Sequence, residues 1–161
     1  MKKLLIILLW TCSSAFGQSL SDSMLPARVT GYIFINPAAM NNTQMIFLAQ
    51  QARKTGAELV LKGFVNEGKN QIADTYKLYA YINEACCAQK GPVWKIEPSL
   101  YKTFGINAVP AFVVAQGTSG SPATYSKVAG MFGFDHALEL FATSKNKSVK
   151  DASIRALHLL D

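Results

Sequence analysis

The side chains that most often bind metals are scarce in this 161-residue chain, which has only two histidines and three cysteines. His136 and His158 have no partner at the spacing of a metal site, so neither a metal nor another cofactor is expected. The sequence also has no glycine-rich phosphate loop, and no serine, histidine and aspartate that assemble into a triad. These absences argue against nucleotide-dependent and triad-based enzymes.

Long apolar runs are also missing, apart from residues 4–10 near the start. That run is too short to span a membrane, but it follows a basic start and precedes the small-residue phrase at 15–17, which is typical of a secretory signal peptide. We expect cleavage between Gly17 and Gln18 and a periplasmic bacterial protein without a membrane span. Lipoprotein processing at Cys12 is the alternative, although the residue before it, Thr11, suits that reaction poorly.

A strong charge of either sign is absent as well. The chain has 16 lysines and arginines against 10 acidic residues, and two of the lysines would leave with the signal peptide. No dense basic stripe of the kind that binds nucleic acid is present, so nucleic acid is not expected as a partner. The last positions, 144–161, are basic, and we expect them to be a solvated appendix with marginal helical character through Ile154 and Leu157.

The central part of the chain alternates predicted strands and helices. The first strand, helix and strand form a βαβ unit, so the two strands should be parallel, and the last two strands should form an antiparallel hairpin. An α/β fold is therefore expected. The predicted strands are 28–35, 58–65, 93–96, 111–115 and 124–129. One predicted helix begins at Asn42 or Thr43, a second follows a turn at 66–70, and a third begins at Pro98. The last predicted helix is capped by Asp135.

Pro110 opens one of these strands, because a proline cannot donate to a sheet ladder and belongs at a strand start or edge. It lies in FGINAVPAF (residues 104–112), preceded by IEP (residues 96–98), and this combination resembles the second half of a thioredoxin-like domain. The resemblance implies a central mixed sheet of about four to five strands flanked by helices, and a cis Val109–Pro110 bond beside the active site. A trans proline at a strand start is the alternative.

The thiol that such a fold uses for catalysis is missing. A thioredoxin-like oxidoreductase needs a low-pKa thiolate at the start of its first helix. Here that region is FINPAAMNNT (residues 34–43), which contains no cysteine. Thiol–disulfide exchange at this position is therefore excluded.

Two adjacent cysteines, Cys86 and Cys87, remain after the predicted loss of the signal peptide. Three states are open for them: a disulfide between neighbours, a bond to another chain, or two reduced thiols. An oxidising periplasm favours the first two. No accompanying base or Cys-x-x-Cys is present, so a catalytic role is the least expected.

A more specific resemblance rests on YIFI (residues 32–35), LVLKGFVN (residues 59–66), IEP, FGI (residues 104–106) and VPAF (residues 109–112). Together they resemble the TrbC family, periplasmic assembly proteins of F-type conjugative pili that lack the thioredoxin cysteines. The resemblance implies a non-enzymatic role within a type IV secretion apparatus. Its partners would be other pilus-assembly proteins, and no small-molecule substrate is expected. The cysteine pair and the basic tail depart from the family pattern.

The sequence thus predicts a signal peptide (1–17), a flexible lead-in (18–26), a thioredoxin-like domain (27–143) and a basic tail (144–161). We expect partners to bind an extended surface at the cis-proline. A thiol oxidoreductase or disulfide chaperone using Cys86 and Cys87 is the main alternative, and an adaptor in another envelope machine is a third. Trp94 and the aromatic cluster 131–134 are interpreted as core or partly exposed contacts. The predicted surface comprises Asn36, Pro37, Ala108, Val109 and Pro110.

Overall fold

The computed structural model describes residues 28–66, 68–88 and 90–161. The predicted signal peptide, its Gly17–Gln18 cleavage site and the lead-in lie outside the described residues. The strands are β1 (Val29–Ile35), β2 (Glu58–Leu61), β3 (Val93–Ile96), β4 (Ala111–Gln116) and β5 (Tyr125–Ala129). The helices are α1 (Asn42–Thr55), α2 (Gln71–Cys87), α3 (Pro98–Thr103), α4 (Phe134–Phe141) and α5 (Lys147–Leu157), with a 3-10 turn at Pro122–Thr124.

The five strands form one mixed sheet in the order β3-β2-β1-β4-β5. β1 pairs in parallel with β2, and β2 with β3, whereas β4 runs antiparallel to both β1 and β5. The predicted α/β class, the parallel βαβ unit and the terminal antiparallel hairpin are confirmed. None of the helices in the described ranges is long and apolar enough to cross a membrane.

The sheet is covered unequally on its two faces. Side chains such as Ile33 and Phe112 point to the face that packs against α1, α2, α4 and α5. Tyr32, Phe34 and Val113 point to the other face, where the packing helix is the short α3 with Leu100, Tyr101 and Phe104. Strand residues alternate between these faces, as the pleat requires.

Helix α1 begins at Asn42, one of the two predicted starts, but its cap lies one residue before the predicted capping residues. Asn41, not Asn42 or Thr43, is the N-cap, because its side chain accepts from the Gln44 backbone at 2.9 Å while the Gln44 side chain accepts from the Asn41 backbone at 3.1 Å. This reciprocal capping box satisfies amides that a helix start leaves unpaired. The apolar stripe of α1, which repeats with the period of a helix and consists of Met45, Leu48, Ala49 and Ala52, is buried, and Gly56 ends the helix with φ 73°.

Two other predicted boundaries are wrong. β2 ends at Leu61 rather than at residue 65, since Leu61 is the last residue with a β3 partner and the chain then turns, leaving Phe64 44% exposed. Helix α4 starts at Phe134 after Gly133, so Asp135 lies in the first turn and does not cap the helix with its side chain.

The predicted appendix is instead a packed helix. Helix α5 begins after Asn146, whose side chain accepts from the Val149 backbone at 3.1 Å. Val149 and Ser153 are fully buried against the main core, whereas Ile154, on which the prediction depended, is exposed. The buried face of α5 is made mostly of small side chains, which let the helix approach its neighbours closely but carry little hydrophobic signal in the sequence.

Candidate partner-binding surface

The ends of several strands meet at one end of the sheet. Ile35 and Leu61, the last residues of two parallel strands, lie side by side. Phe34 pairs with Ala111 at the end of the antiparallel β1–β4 ladder, so Pro110, the residue before Ala111, lies just beyond the ladder at this end of the sheet. The carboxyl ends of parallel strands are where α/β proteins most often bind ligands.

The segment before Pro110 has backbone groups without hydrogen bonds to the described residues at this end of the sheet. The Val109–Pro110 peptide bond is cis, Pro110 is buried, and its carbonyl accepts from the Gly130 backbone at 3.1 Å. Asn107 and Ala108 are exposed. Within the described residues, the backbone groups of 107–109 form no hydrogen bond, so they are available to an extended chain.

Helix α3 holds the other end of this segment. The Ile106 backbone donates to the Tyr101 carbonyl at 2.8 Å, and Gly105 adopts φ 57°, a conformation that glycine takes without strain. The Lys127 ammonium donates to the carbonyls of Phe104 and Gly105 at 2.7 and 3.0 Å. The backbone of 107–109 therefore lies between two residues, Ile106 and Pro110, that backbone hydrogen bonds hold in place.

An apolar depression, which we call the proline groove, adjoins this segment. Its volume is about 160 Å³. Phe47 is 46% exposed and Met131 is 64% exposed, although both side chains are large and apolar. The groove is lined by Met40, Gln44, Phe47, Leu48, Pro110, Met131, Phe132 and Gly133.

The wall of the proline groove is fixed by a buried polar contact. Gln51 is 7% exposed, and its side-chain oxygen accepts from the Phe134 backbone at 2.6 Å, which ties the end of the 131–133 segment to α1. A β-carbon at Gly133 would lie 2.9 Å from the Phe47 ring, so only glycine fits this close approach without a shift.

A second depression, which we call the loop groove, lies where β1 and β2 end. It measures about 230 Å³ and is lined by Ile35, Asn36, Pro37, Leu61, Lys62, Gly63 and Phe64. The turn after β1 is closed locally, because the Asn36 side chain accepts from the Ala38 backbone at 3.0 Å and its carbonyl from the Ala39 backbone at 2.9 Å.

Tyr101 positions both strand ends at the loop groove. Its buried hydroxyl donates to the Ile35 carbonyl at 2.8 Å and lies 3.1 Å from the Val60 carbonyl. Burial raises the pKa of this hydroxyl well above its usual value, so the proton that makes the contact stays in place. Tyr101 thereby links α3 to the ends of β1 and β2, of which β1 leads directly into the predicted surface at Asn36.

The structure divides the predicted surface residues between neighbouring places. Pro110 lines the proline groove, whereas Asn36 and Pro37 line the loop groove. Ala108 and Val109 belong to the unpaired segment and line neither groove. All five residues lie at one end of the sheet.

Sequence reasoning missed Phe47, one of the two most exposed members of the proline groove; the other, Met131, belongs to the aromatic cluster 131–134. Phe47 falls outside the apolar stripe of α1, and an aromatic residue off the stripe was the available signal. In the aromatic cluster, Phe134 is core while Met131 is exposed, so the cluster serves both of its expected roles.

Among the described residues that line the proline groove and the loop groove, only Lys62 has an ionisable side chain. The loop 36–43 contains no titratable side chain, and the described part of the chain holds no group of three or more histidine, cysteine or acidic residues that could bind a metal. Cys86 and Cys87 form a disulfide at the end of α2, where they share a depression with Arg53 and Lys54. They lie beside the C-terminal half of α1, whereas the proline groove lies at its N-terminal half.

The fold and this surface together define an α/β protein with a five-stranded mixed sheet and an apolar groove at its strand ends. A family model described as type-F conjugative transfer system pilin assembly protein matches residues 33–141. The match covers more than half of the chain, so the chain belongs to this family, TrbC, which has a role in conjugative pilus assembly. No curated protein and no solved structure matches it.

Proposed function

We propose that this protein is a periplasmic, non-catalytic assembly factor that binds an extended segment of another pilus-assembly protein. The observation that carries the proposal is that the backbone of 107–109, beside the proline groove, forms no hydrogen bond to the described residues, while Asn107 and Ala108 are exposed. Family membership supports the setting, a conjugation apparatus of the F type. The predicted export signal supports the location.

Binding by strand addition explains how such a surface gives affinity without chemistry. An extended segment would hydrogen-bond to the backbone beside Pro110, and one of its apolar side chains would enter the proline groove. The groove excludes water from that side chain, and each buried methylene contributes about 0.8 kcal/mol. The segment that best fits is therefore extended, uncharged at its centre and apolar at alternate positions.

A charge placed in the groove tests the proposal. Met131→Asp should lower co-purification of assembly proteins and DNA transfer by about tenfold or more, since a carboxylate is costly in an apolar interface. Met131 is exposed, so the fold should tolerate the change. Leu140→Asp is the matched control, because Leu140 is an exposed apolar residue of α4 outside the groove.

A second variant addresses the backbone directly. Ala108→Pro removes one backbone donor from the unpaired segment and should also weaken partner capture. Normal pilus assembly and normal co-purification with both Met131→Asp and Ala108→Pro would show that partners bind elsewhere.

The Cys86–Cys87 disulfide favours a second candidate, a thiol–disulfide oxidoreductase. Insulin reduction by the purified protein separates the two functions. We expect no turnover above background, and activity that Cys86→Ser abolishes would replace the non-catalytic proposal.

A further inference from the structure

A third depression, which we call the disulfide groove, has no part in the proposed partner binding. It is about 580 Å³ in volume and is lined by Gln50, Arg53, Lys54, Cys86 and Cys87. Cys86 and Cys87 form the disulfide, and both are partly exposed. The groove therefore presents an oxidised sulfur pair to solvent next to two cations.

The hydrogen bonds that the described residues give these two cations go to backbone carbonyls and not to acidic side chains. Arg53 donates through Nε to the Lys90 carbonyl at 2.8 Å, and the Lys54 ammonium donates to the Leu160 carbonyl at 3.2 Å. Within the described residues, neither side chain forms a salt bridge, and the lining includes no acidic side chain. The backbone contacts hold both cations in place while leaving their charge available to an anion.

Positive charge beside the disulfide would stabilise a thiolate. The disulfide lies in the last turn of α2, where the helix dipole is negative and opposes a thiolate. The last turn of α2 itself contains no basic residue. Arg53 and Lys54 of α1 supply the positive potential that would stabilise both an incoming thiolate and the thiolate that leaves.

We propose that the disulfide groove captures a small anionic thiol, one that carries a carboxylate or sulfonate, as a mixed disulfide. The ligand thiolate attacks one sulfur of the pair and a new S–S bond forms between ligand and protein. The Cys86–Cys87 bond breaks, and its electron pair stays on the other cysteine as a thiolate that takes a proton from water. The ligand sulfur is oxidised and one protein cysteine is reduced, so no further oxidant is needed.

The volume of the groove lies within the range of small-molecule sites, so a small ligand is the occupant that we infer. Capture is stoichiometric and does not depend on the proline groove. The inference is thus independent of the proposed partner binding, and either one can fail alone.

Two thiols of similar size and reactivity but different charge test this inference. The oxidised full chain is mixed with 2-mercaptoethanesulfonate or with neutral 2-mercaptoethanol at equal thiolate concentrations. Samples are quenched with acid, and opening of the disulfide is followed by intact-mass spectrometry. Cys87→Ser, which cannot form the disulfide, is the negative control.

We expect the sulfonate to open the disulfide at least about threefold faster than the neutral thiol, an advantage of the size that exposed charge pairs give. Raised salt and the double change Arg53→Gln with Lys54→Gln should both remove the difference. The control double change, Lys102→Gln with Lys145→Gln, removes equal charge from exposed positions outside the groove and should preserve it. Equal rates for the two thiols, a preference that survives loss of Arg53 and Lys54, or no opening by either thiol would each overturn the inference.

Discussion

The hydroxyl of Tyr101 provides a direct test of how the candidate surface is held. Tyr101→Phe keeps the ring and its edge-to-face contact with Phe34, whose ring centre is 4.8 Å away. It removes the hydroxyl group that donates its proton to the Ile35 and Val60 carbonyls. The change therefore isolates a buried hydrogen bond from the packing around it.

Leaving a buried polar group without its partner costs about 1–3 kcal/mol. Because two carbonyls share one donor here, and strand neighbours can take up part of the loss, we expect the free energy of unfolding to fall by about 1–2 kcal/mol. For a domain of this size the melting temperature should fall by about 3–8 °C.

Thermal and urea unfolding of the two proteins measure this effect. Tyr125→Phe is the matched control, because the Tyr125 hydroxyl makes no hydrogen bond to the described residues and the half-buried ring packs on the same core. We expect that control to stay within about 0.5 kcal/mol of the unchanged protein. A loss no larger for Tyr101→Phe than for Tyr125→Phe would refute the reasoning.

Three further changes test other parts of the fold. Asn41→Ala should lower the free energy of unfolding by about 1 kcal/mol by removing the capping box, and an unchanged urea midpoint would count against that role. Gly31→Ala should cost about 1–3 kcal/mol, since the added carbon would lie 3.0 Å from the Phe134 ring, and wild-type stability would show that the ring moves aside. Burial raises the pKa of Tyr79 to about 12, above its unfolded value near 10, so the folded state keeps a proton that the unfolded state loses. The free energy of unfolding should therefore fall as pH rises from about 10 to 12, and less steeply in Tyr79→Phe; identical slopes would exclude this contribution.

Much of the sheet could be predicted because its signals are local. The strand sequences around Ile33 and Phe112 are apolar runs bounded by turn residues, and the stripe at Met45 repeats with the period of a helix. These patterns were sufficient for the α/β class and for the parallel and antiparallel pairings. They also place Pro110 at the start of its strand.

Features that depend on contacts between distant segments could not be predicted in the same way. Helix α5 buries Val149 and Ser153, but its small side chains give a weak periodic signal and its burial depends on space that other elements leave. In α2, Ile72 and Tyr76 belong to one apolar stripe and Ile82 to the adjacent one; Ile72 and Tyr76 are 55% and 67% exposed, whereas Ile82 is fully buried in the core. Hydrophobicity alone does not decide which of two adjacent apolar stripes is buried.

The candidate site also has one part that local sequence predicts and another that depends on contacts between distant segments. The backbone before Pro110 was identified from a local phrase, whereas the proline groove required α1 and the 131–133 segment to approach each other. Gln51 joins these elements across 83 positions of sequence through its contact with the Phe134 backbone. No local pattern in the chain indicates that contact.

Site-specific photo-crosslinking in cells that assemble the conjugative pilus tests the central claim most directly. A photoreactive side chain is placed at position 108, beside the unpaired backbone, or at position 140 on the exposed side of α4. Partner binding at the proline groove predicts a crosslink from position 108 to another pilus-assembly protein, and its loss when Met131→Asp is added. Crosslinks from position 140 but not from 108, or a crosslink from 108 that Met131→Asp leaves intact, would contradict the proposed binding surface.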